Sequence, residues 1–66
     1  MDYTYGAAFS TSLEAIAMGL DKSTLSDVLA EQYPLSIAEI DEVMQDALKD
    51  ALKQGVERED VDPSWF

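Results

Sequence analysis

Apolar residues recur at helical spacing over residues 36–55, and this is the longest such pattern in the chain. Ser36 followed by Glu39 has the form of a capping box, which marks a helix start, and Gly55 is a residue that favours a helix end. The pattern therefore predicts one long helix with an apolar stripe and a charged face. Its expected core residues are Ile37, Ile40, Met44, Ala47, Leu48, Ala51 and Leu52.

A first, shorter helix is predicted upstream. It begins between Ser10 and Ser12, where Thr11 and Glu14 have capping-box spacing, and Gly19 closes it. Its expected inward residues are Leu13, Ile16, Ala17 and Leu20.

A second short helix is predicted to begin at Asp21 or Ser23 and to end near Gln32, because Pro34 disfavours helical geometry at Tyr33. Its expected buried residues are Leu25, Val28 and Leu29. Together the three patterns predict an all-α fold, a small three-helix bundle with helix-turn-helix-like first helices and a long final helix.

The two ends of the chain lack a helical pattern. We expect one domain over residues 1–66, with an extended arm at 1–9, a helical core at 10–54 and an acidic, aromatic tail at 56–66. Aromatic residues occur at both ends, and two interpretations stay open: they close the bottom of the core, or they anchor a partner. They are Tyr3, Tyr5, Phe9, Trp65 and Phe66.

The composition is that of a small acidic globular protein. Fourteen acidic against four basic side chains give a formal net charge of -10, while 47% of the residues are hydrophobic. There is no Cys and no His, which excludes disulfides, thiolate or imidazole metal ligands and the commonest general bases. No apolar run has the length of a membrane span, so we expect a cytoplasmic protein without a membrane partner.

The sequence gives little support for a catalytic function. The serines have neither a His partner nor a Lys at a recognisable spacing, and Glu57–Asp62 lacks the order of a calcium-binding loop. The chain is similar in size and charge to acyl carrier proteins, but the stretch Asp21–Leu25 interrupts their Asp-Ser-Leu attachment order. We therefore expect a non-enzyme with no catalytic residue, cofactor or metal.

Residues 13–28 carry a small residue, a Gly four positions later and then an apolar residue, and this run resembles a helix-turn-helix. The resemblance implies a DNA-binding regulator whose second helix enters the major groove. The side chains that would face DNA are Ser23, Thr24, Ser26 and Asp27, with Lys22 as the one base.

A second resemblance covers residues 19–52. Tyr33, Pro34, Leu35, Ser36, Glu39 and Ile40 stand in the order found in a family of short bacterial antitoxin-type domains, although the Gly-Thr-Arg-Ile segment of that family is missing. This resemblance implies a small helical module that neutralises another protein.

Carboxylates on the long helix suggest how such a partner is bound. Glu42, Asp46 and Asp50 are four residues apart and so lie on one side of the helix, where they can match the regular spacing of nucleic-acid phosphates. In physical type the chain resembles the small acidic nucleic-acid mimics of phages and mobile elements, including anti-CRISPR and anti-restriction proteins.

We therefore expect a monomeric inhibitor that binds a basic nucleic-acid-binding protein or nuclease complex and does not bind nucleic acid directly. The expected contact residues are Asp41, Glu42, Asp46 and Asp50, helped by Asp27 and Glu31. Two alternatives stay open: a helix-turn-helix regulator that binds DNA, and an acidic surface that only keeps the domain soluble.

Overall fold

The structure, a computed structural model, describes residues 3–66 of the chain. Helix α1 spans Tyr3–Ala17, α2 spans Lys22–Gln32 and α3 spans Ile37–Lys53, and two single-turn 3-10 helices follow at Arg58–Asp60 and Pro63–Trp65. No strand occurs in these residues. Helix α1 packs mainly on α3, and α2 packs on both. The predicted all-α fold, a small three-helix bundle, is confirmed.

The predicted boundaries of α3 are confirmed with their chemistry. Ser36 Oγ accepts the amide of Glu39 at 3.2 Å, and Glu39 Oε1 accepts the amide of Ser36 at 2.9 Å, which is a reciprocal capping box. At the other end Gly55 has a φ of +106°, and the amide of Val56 donates to the carbonyl of Ala51. This is a Schellman motif, which satisfies the last carbonyls of the helix.

The turn between α1 and α2 uses the same chemistry. Gly19 has a φ of +84°, and the amide of Leu20 donates to the carbonyl of Ala15, so α1 also ends in a Schellman motif. Asp21 then caps α2, because its carboxylate accepts the amide of Thr24 at 2.9 Å. Helix α2 ends at Gln32, before the extended Tyr33, as predicted.

The start of α1 corrects the sequence-based prediction. Residues 3–9 are helical rather than an extended arm, and the predicted start at Ser10–Ser12 lies inside the helix. The physical reason is tertiary packing: Ala8 and Ser12 are fully buried, and Tyr5 and Phe9 pack against the core. Residues 1 and 2 of the predicted arm lie outside the described residues.

The core follows the predicted stripes with a few exceptions. Ile37 is 88% exposed because it is the first residue of α3, one turn before the helix meets the core, and Ala17 is also exposed. Val43, which the predicted stripe omitted, is fully buried in α3. The buried hydrophobic residues are Ala8, Ile16, Leu25, Leu29, Ile40, Val43, Met44, Ala47, Leu48, Ala51, Val61 and Trp65.

The tail at residues 56–66, called the C-terminal segment below, packs over the α1–α2 turn. Trp65 is 6% exposed, and its Nε1 donates to the carbonyl of Leu20 at 2.9 Å. The carbonyl of Asp60 lies 3.7 Å from where a Cβ on Gly19 would stand. Trp65 therefore belongs to the core, whereas Tyr3 and Phe66 are 83% and 56% exposed.

Among residues 3–66, no helix combines the length and the apolar character that a membrane crossing requires.

Candidate protein-binding surface

The six predicted contact residues do not form one continuous face. Asp41 lies 3.8 Å from Lys22 of α2, whereas Asp46 accepts a hydrogen bond from Tyr5 of α1. The two carboxylates are five residues apart on α3, which places them about 140° apart around a helix of 3.6 residues per turn. The structure therefore divides the predicted site into a group beside α2 and a row beside α1.

The row beside α1 contains Glu42, Asp46 and Asp50, and two of the three have partners within the protein. Tyr5 Oη donates to Asp46 at 2.6 Å, and this hydrogen bond, with burial and the nearby Glu42 charge, raises the pKa of Tyr5 to about 12. Asp50 is half-buried and accepts Gln54 Nε2 at 2.5 Å. Within the described residues Glu42 has no such partner.

Two lysines accompany this row. Lys49 and Lys53 are exposed and follow Asp46 and Asp50 by three residues, so they lie on the same side of α3. Neither forms an ion pair within residues 3–66, but their charges partly offset the carboxylate row.

A groove of about 390 Å³ separates α2 from α3 on the other side of the bundle. Asp27 of α2 and Asp41 of α3 both line it, together with Met44, which is 3% exposed. Its other lining residues are Lys22, Ser23, Ser26 and Ser64. Glu31, one turn after Asp27, is exposed on α2 but does not line the groove. The structure therefore brings Asp27 and Asp41 together, with Lys22 as their only basic neighbour in the lining.

The beginning of α2 is already satisfied by the protein itself. Asp21 accepts both the amide and the hydroxyl of Thr24, and these hydrogen bonds lower the pKa of its carboxyl group. Ser64 Oγ accepts the amide of Lys22 at 2.9 Å. A DNA-reading helix would present this end to phosphates, but here Lys22 is accompanied by the carboxylates of Asp21 and Asp27.

A second cavity, of about 320 Å³, lies at the end of α1 and was not predicted. It is lined by Thr11, Glu14, Ala15, Met18, Gly19 and Leu20, and Met18 is 84% exposed beside it.

Sequence reasoning missed three features of these surfaces. It did not connect Tyr5 with Asp46, which are 41 residues apart, and it did not place Ser64 in the groove. It also left out the exposed carboxylates of the C-terminal segment, Glu57, Glu59 and Asp60, although their charge alone was a signal. Within the described part of the chain, no three Asp or Glu side chains converge in a way that would hold a metal ion.

Comparisons with protein-family models, with curated proteins and with solved structures gave no match for this chain.

Proposed function

We propose that this chain is a non-catalytic acidic inhibitor that binds the basic nucleic-acid-binding surface of a protein partner. The observation that carries the proposal is the groove between α2 and α3, where Asp27 and Asp41 stand on two different helices with Lys22 as their one basic neighbour. The partner class is a nuclease or defence complex of the kind that anti-CRISPR and anti-restriction proteins, or nuclease antitoxins, act on in the cytoplasm.

Electrostatics favours such a partner. A protein that grips nucleic acid presents a row of Lys and Arg side chains, and a formal charge of -10 on 66 residues attracts that surface from a distance. Complementary potentials raise the association rate and reject partners of like charge. The carboxylates are also held in place, because α2 and α3 are capped at their first turns by Asp21 and Ser36.

The proposed contact residues differ in whether their carboxylate oxygens already have partners within the protein. Asp27, Glu31 and Glu42 have no hydrogen-bond or ion-pair partner among residues 3–66, so they are free to meet cations. Asp41 is exposed and its ion pair with Lys22 is long, which a partner arginine can replace with a bidentate contact. Asp46 and Asp50 contribute charge, while one or more of their oxygens serve the fold.

We propose that the protein acts as a monomer. The apolar stripe that would form a dimer, including Ile40, Val43 and Ala47 of α3, is buried in its own core.

The test begins with a pull-down of the tagged protein from bacterial lysate at low salt, followed by elution with a salt gradient. The proposal expects a basic nucleic-acid-binding protein that competing DNA or RNA displaces. The purified partner is then titrated against two neutralised variants, Asp27→Asn with Glu31→Gln and Asp41→Asn, and Glu42→Gln with Asp46→Asn and Asp50→Asn. We expect the first set to lose more affinity than the second.

A matched control removes the same charge elsewhere. Glu57→Gln with Glu59→Gln and Asp60→Asn also changes the formal net charge from -10 to -7, but in the C-terminal segment. If all three variants bind equally weakly, the affinity for the partner depends only on net charge and not on the position of the carboxylates. If the two helix variants bind as the unaltered protein does, the proposed surface is wrong.

One observation supports the alternative, a DNA-binding regulator: the tight turn at Gly19 between α1 and α2. It expects the pull-down to retain duplex DNA itself, with an affinity that falls steeply as salt rises. That result would replace the inhibitor proposal.

A further inference from the structure

The C-terminal segment is attached to the bundle by few contacts. Only two of its side chains, Val61 and Trp65, are deeply buried. Two hydrogen bonds, each 2.9 Å long, join it to the α1–α2 region: Trp65 Nε1 to the carbonyl of Leu20, and the Lys22 amide to Ser64 Oγ. The single-turn helices inside the segment make no side-chain hydrogen bond to α3.

Of the segment, the rest of the fold needs only Val56 to satisfy its backbone, because the Val56 amide completes the Schellman motif of α3. Helices α1 and α3 end in Schellman motifs, and Asp21 caps α2 through Thr24, all without a residue beyond Val56. If the segment left the surface, the carbonyl of Leu20 and the amide of Lys22 would become accessible to water. No buried polar group would then lose its partner, so the cost of opening is mainly the exposure of the Val61 and Trp65 side chains.

Like charge opposes the closed state. Residues 56–66 carry four carboxylates and one guanidinium, a formal charge of -3, against -7 on the remainder. The guanidinium of Arg58 lies 4.3 Å from the centre of the Phe66 ring, and no ion pair joins the segment to the helices within residues 3–66. Within residues 3–66, no ion pair therefore offsets this repulsion.

The closed segment also completes the acidic groove. Ser64 lines the groove with Asp27 and Asp41, and its hydroxyl holds the first amide of α2. A cation in the groove would reduce the repulsion that favours opening, so binding and closure support each other.

We propose that residues 57–66 form a clasp that opens and closes separately from the three-helix bundle, and that cations at the acidic groove drive it closed. The coupling to the groove rests on the function proposed above, whereas the separate opening of the clasp does not.

Trp65 makes the clasp directly observable, because it is the only tryptophan in the chain. Its emission reports closure, and far-UV circular dichroism reports the helices. Sodium chloride is raised from about 0.01 M to about 1 M, which shortens the Debye length from about 30 Å to about 3 Å. We expect the emission to shift to shorter wavelength while helicity changes little, and the urea midpoint from fluorescence to lie below that from dichroism.

Two variants separate clasp charge from total charge. Glu57→Gln with Glu59→Gln should remove most of the salt dependence of the emission. Glu31→Gln with Glu42→Gln takes away the same two charges from the helices and should leave more of it. Coincident urea transitions for the two signals, together with an emission that ignores salt, would overturn the clasp.

The coupling has its own probe, an oligo-arginine peptide. We expect it to shift the Trp65 emission at a concentration where sodium chloride of equal ionic strength does not, and Asp27→Asn with Asp41→Asn should abolish that difference. A peptide effect no larger than the salt effect would refute the coupling. The function proposed above is judged separately by the affinity of the purified partner, so the two failures are distinguishable.

Discussion

The hydrogen bond from Tyr5 to Asp46 offers a quantitative test of the packing between α1 and α3. The change is Tyr5→Phe, which removes the hydroxyl group and keeps the ring. A hydrogen bond to a charged group contributes about 1.5–3 kcal/mol when well shielded. Here the oxygen atoms are 2.6 Å apart but Asp46 is exposed, so solvent screening reduces the expected loss to about 0.5–1 kcal/mol. For a domain of this size that corresponds to a decrease in Tm of about 2–8 °C.

The pH dependence has a definite sign. The folded protein raises the pKa of Tyr5 from 10.0 to about 12 because the protonated hydroxyl donates to Asp46. The contribution to stability is therefore fully present below pH 10, and it is lost as the pH rises through about 12. Above that range the phenolate and the carboxylate repel each other.

The assay is thermal unfolding by circular dichroism of four proteins: the unaltered chain, Tyr5→Phe, Asp46→Ala and the double variant. The double-mutant cycle removes the separate effect of Asp46 on its like-charged neighbours Glu42 and Asp50. We expect a coupling of about 0.5–1 kcal/mol at neutral pH that disappears between pH 10 and about 12. Effects of alkaline pH that are common to all four proteins cancel in the cycle. A coupling near zero at neutral pH, or one that alkaline pH leaves unchanged, would refute the reasoning.

Two further predictions concern two glycines and the cap of α3. Gly6→Ala should stabilise the protein by about 0.5–1 kcal/mol, because Gly6 lies inside α1 and a Cβ there would meet nothing within 4 Å. Gly55→Ala should instead cost about 1–2 kcal/mol, because its φ is +106°. Urea unfolding compares the two, and equal effects would contradict this assignment. Ser36→Ala should cost about 1 kcal/mol through loss of the capping box, while Ser10→Ala, on the exposed side of α1, should change stability by less than about 0.5 kcal/mol. A thermal melt of Ser36→Ala that matches that of Ser10→Ala would contradict the capping role.

The helix ends could be predicted from the sequence wherever their chemistry is local. Ser36 and Glu39 cap α3 within four residues, and Gly19 and Gly55 each precede an apolar residue that completes a Schellman motif. All of these interactions join residues close in sequence, so a pattern of neighbouring residue types is sufficient to locate them.

The first turns of α1 could not be predicted in this way. Residues 3–9 contain Gly6 and two tyrosines, which favour other structures. They are helical because Ala8 and Ser12 are small enough to be fully buried in the bundle, and the Ser12 hydroxyl is satisfied by the carbonyl of Ala8. Tertiary packing determines this segment, and tertiary packing is not visible in local propensity.

The candidate surface shows the same limit. Helical spacing predicted that four carboxylates of α3 would point away from the core. Asp41, Glu42 and Asp46 are exposed, and Asp50 is half-buried. The spacing could not predict that Asp41 faces Lys22 and Asp46 faces Tyr5, because those partners belong to other helices. The division of the carboxylates into two groups is therefore a property of the fold.

Some carboxylates already have partners within the protein, and those that have none are available to the proposed partner. Several acids serve the fold itself: Asp21 and Glu39 cap helices, Asp62 accepts the amide of Ser64, and Asp46 and Asp50 accept side-chain hydrogen bonds. Asp41 forms an ion pair with Lys22. Within residues 3–66, the remaining acids, which have no such partner, are Glu14, Asp27, Glu31, Glu42, Glu57, Glu59 and Asp60.

Of these acids, Glu42 shares its side of α3 with Lys49 and Lys53, whereas α2 carries no basic residue other than Lys22. An acidic surface that only kept the protein soluble would not require its uncompensated charge to be concentrated in one part of the fold. The charge that the fold neither uses nor neutralises lies mainly on α2 and on the C-terminal segment, so we propose that a basic partner would bind the α2 side of the bundle.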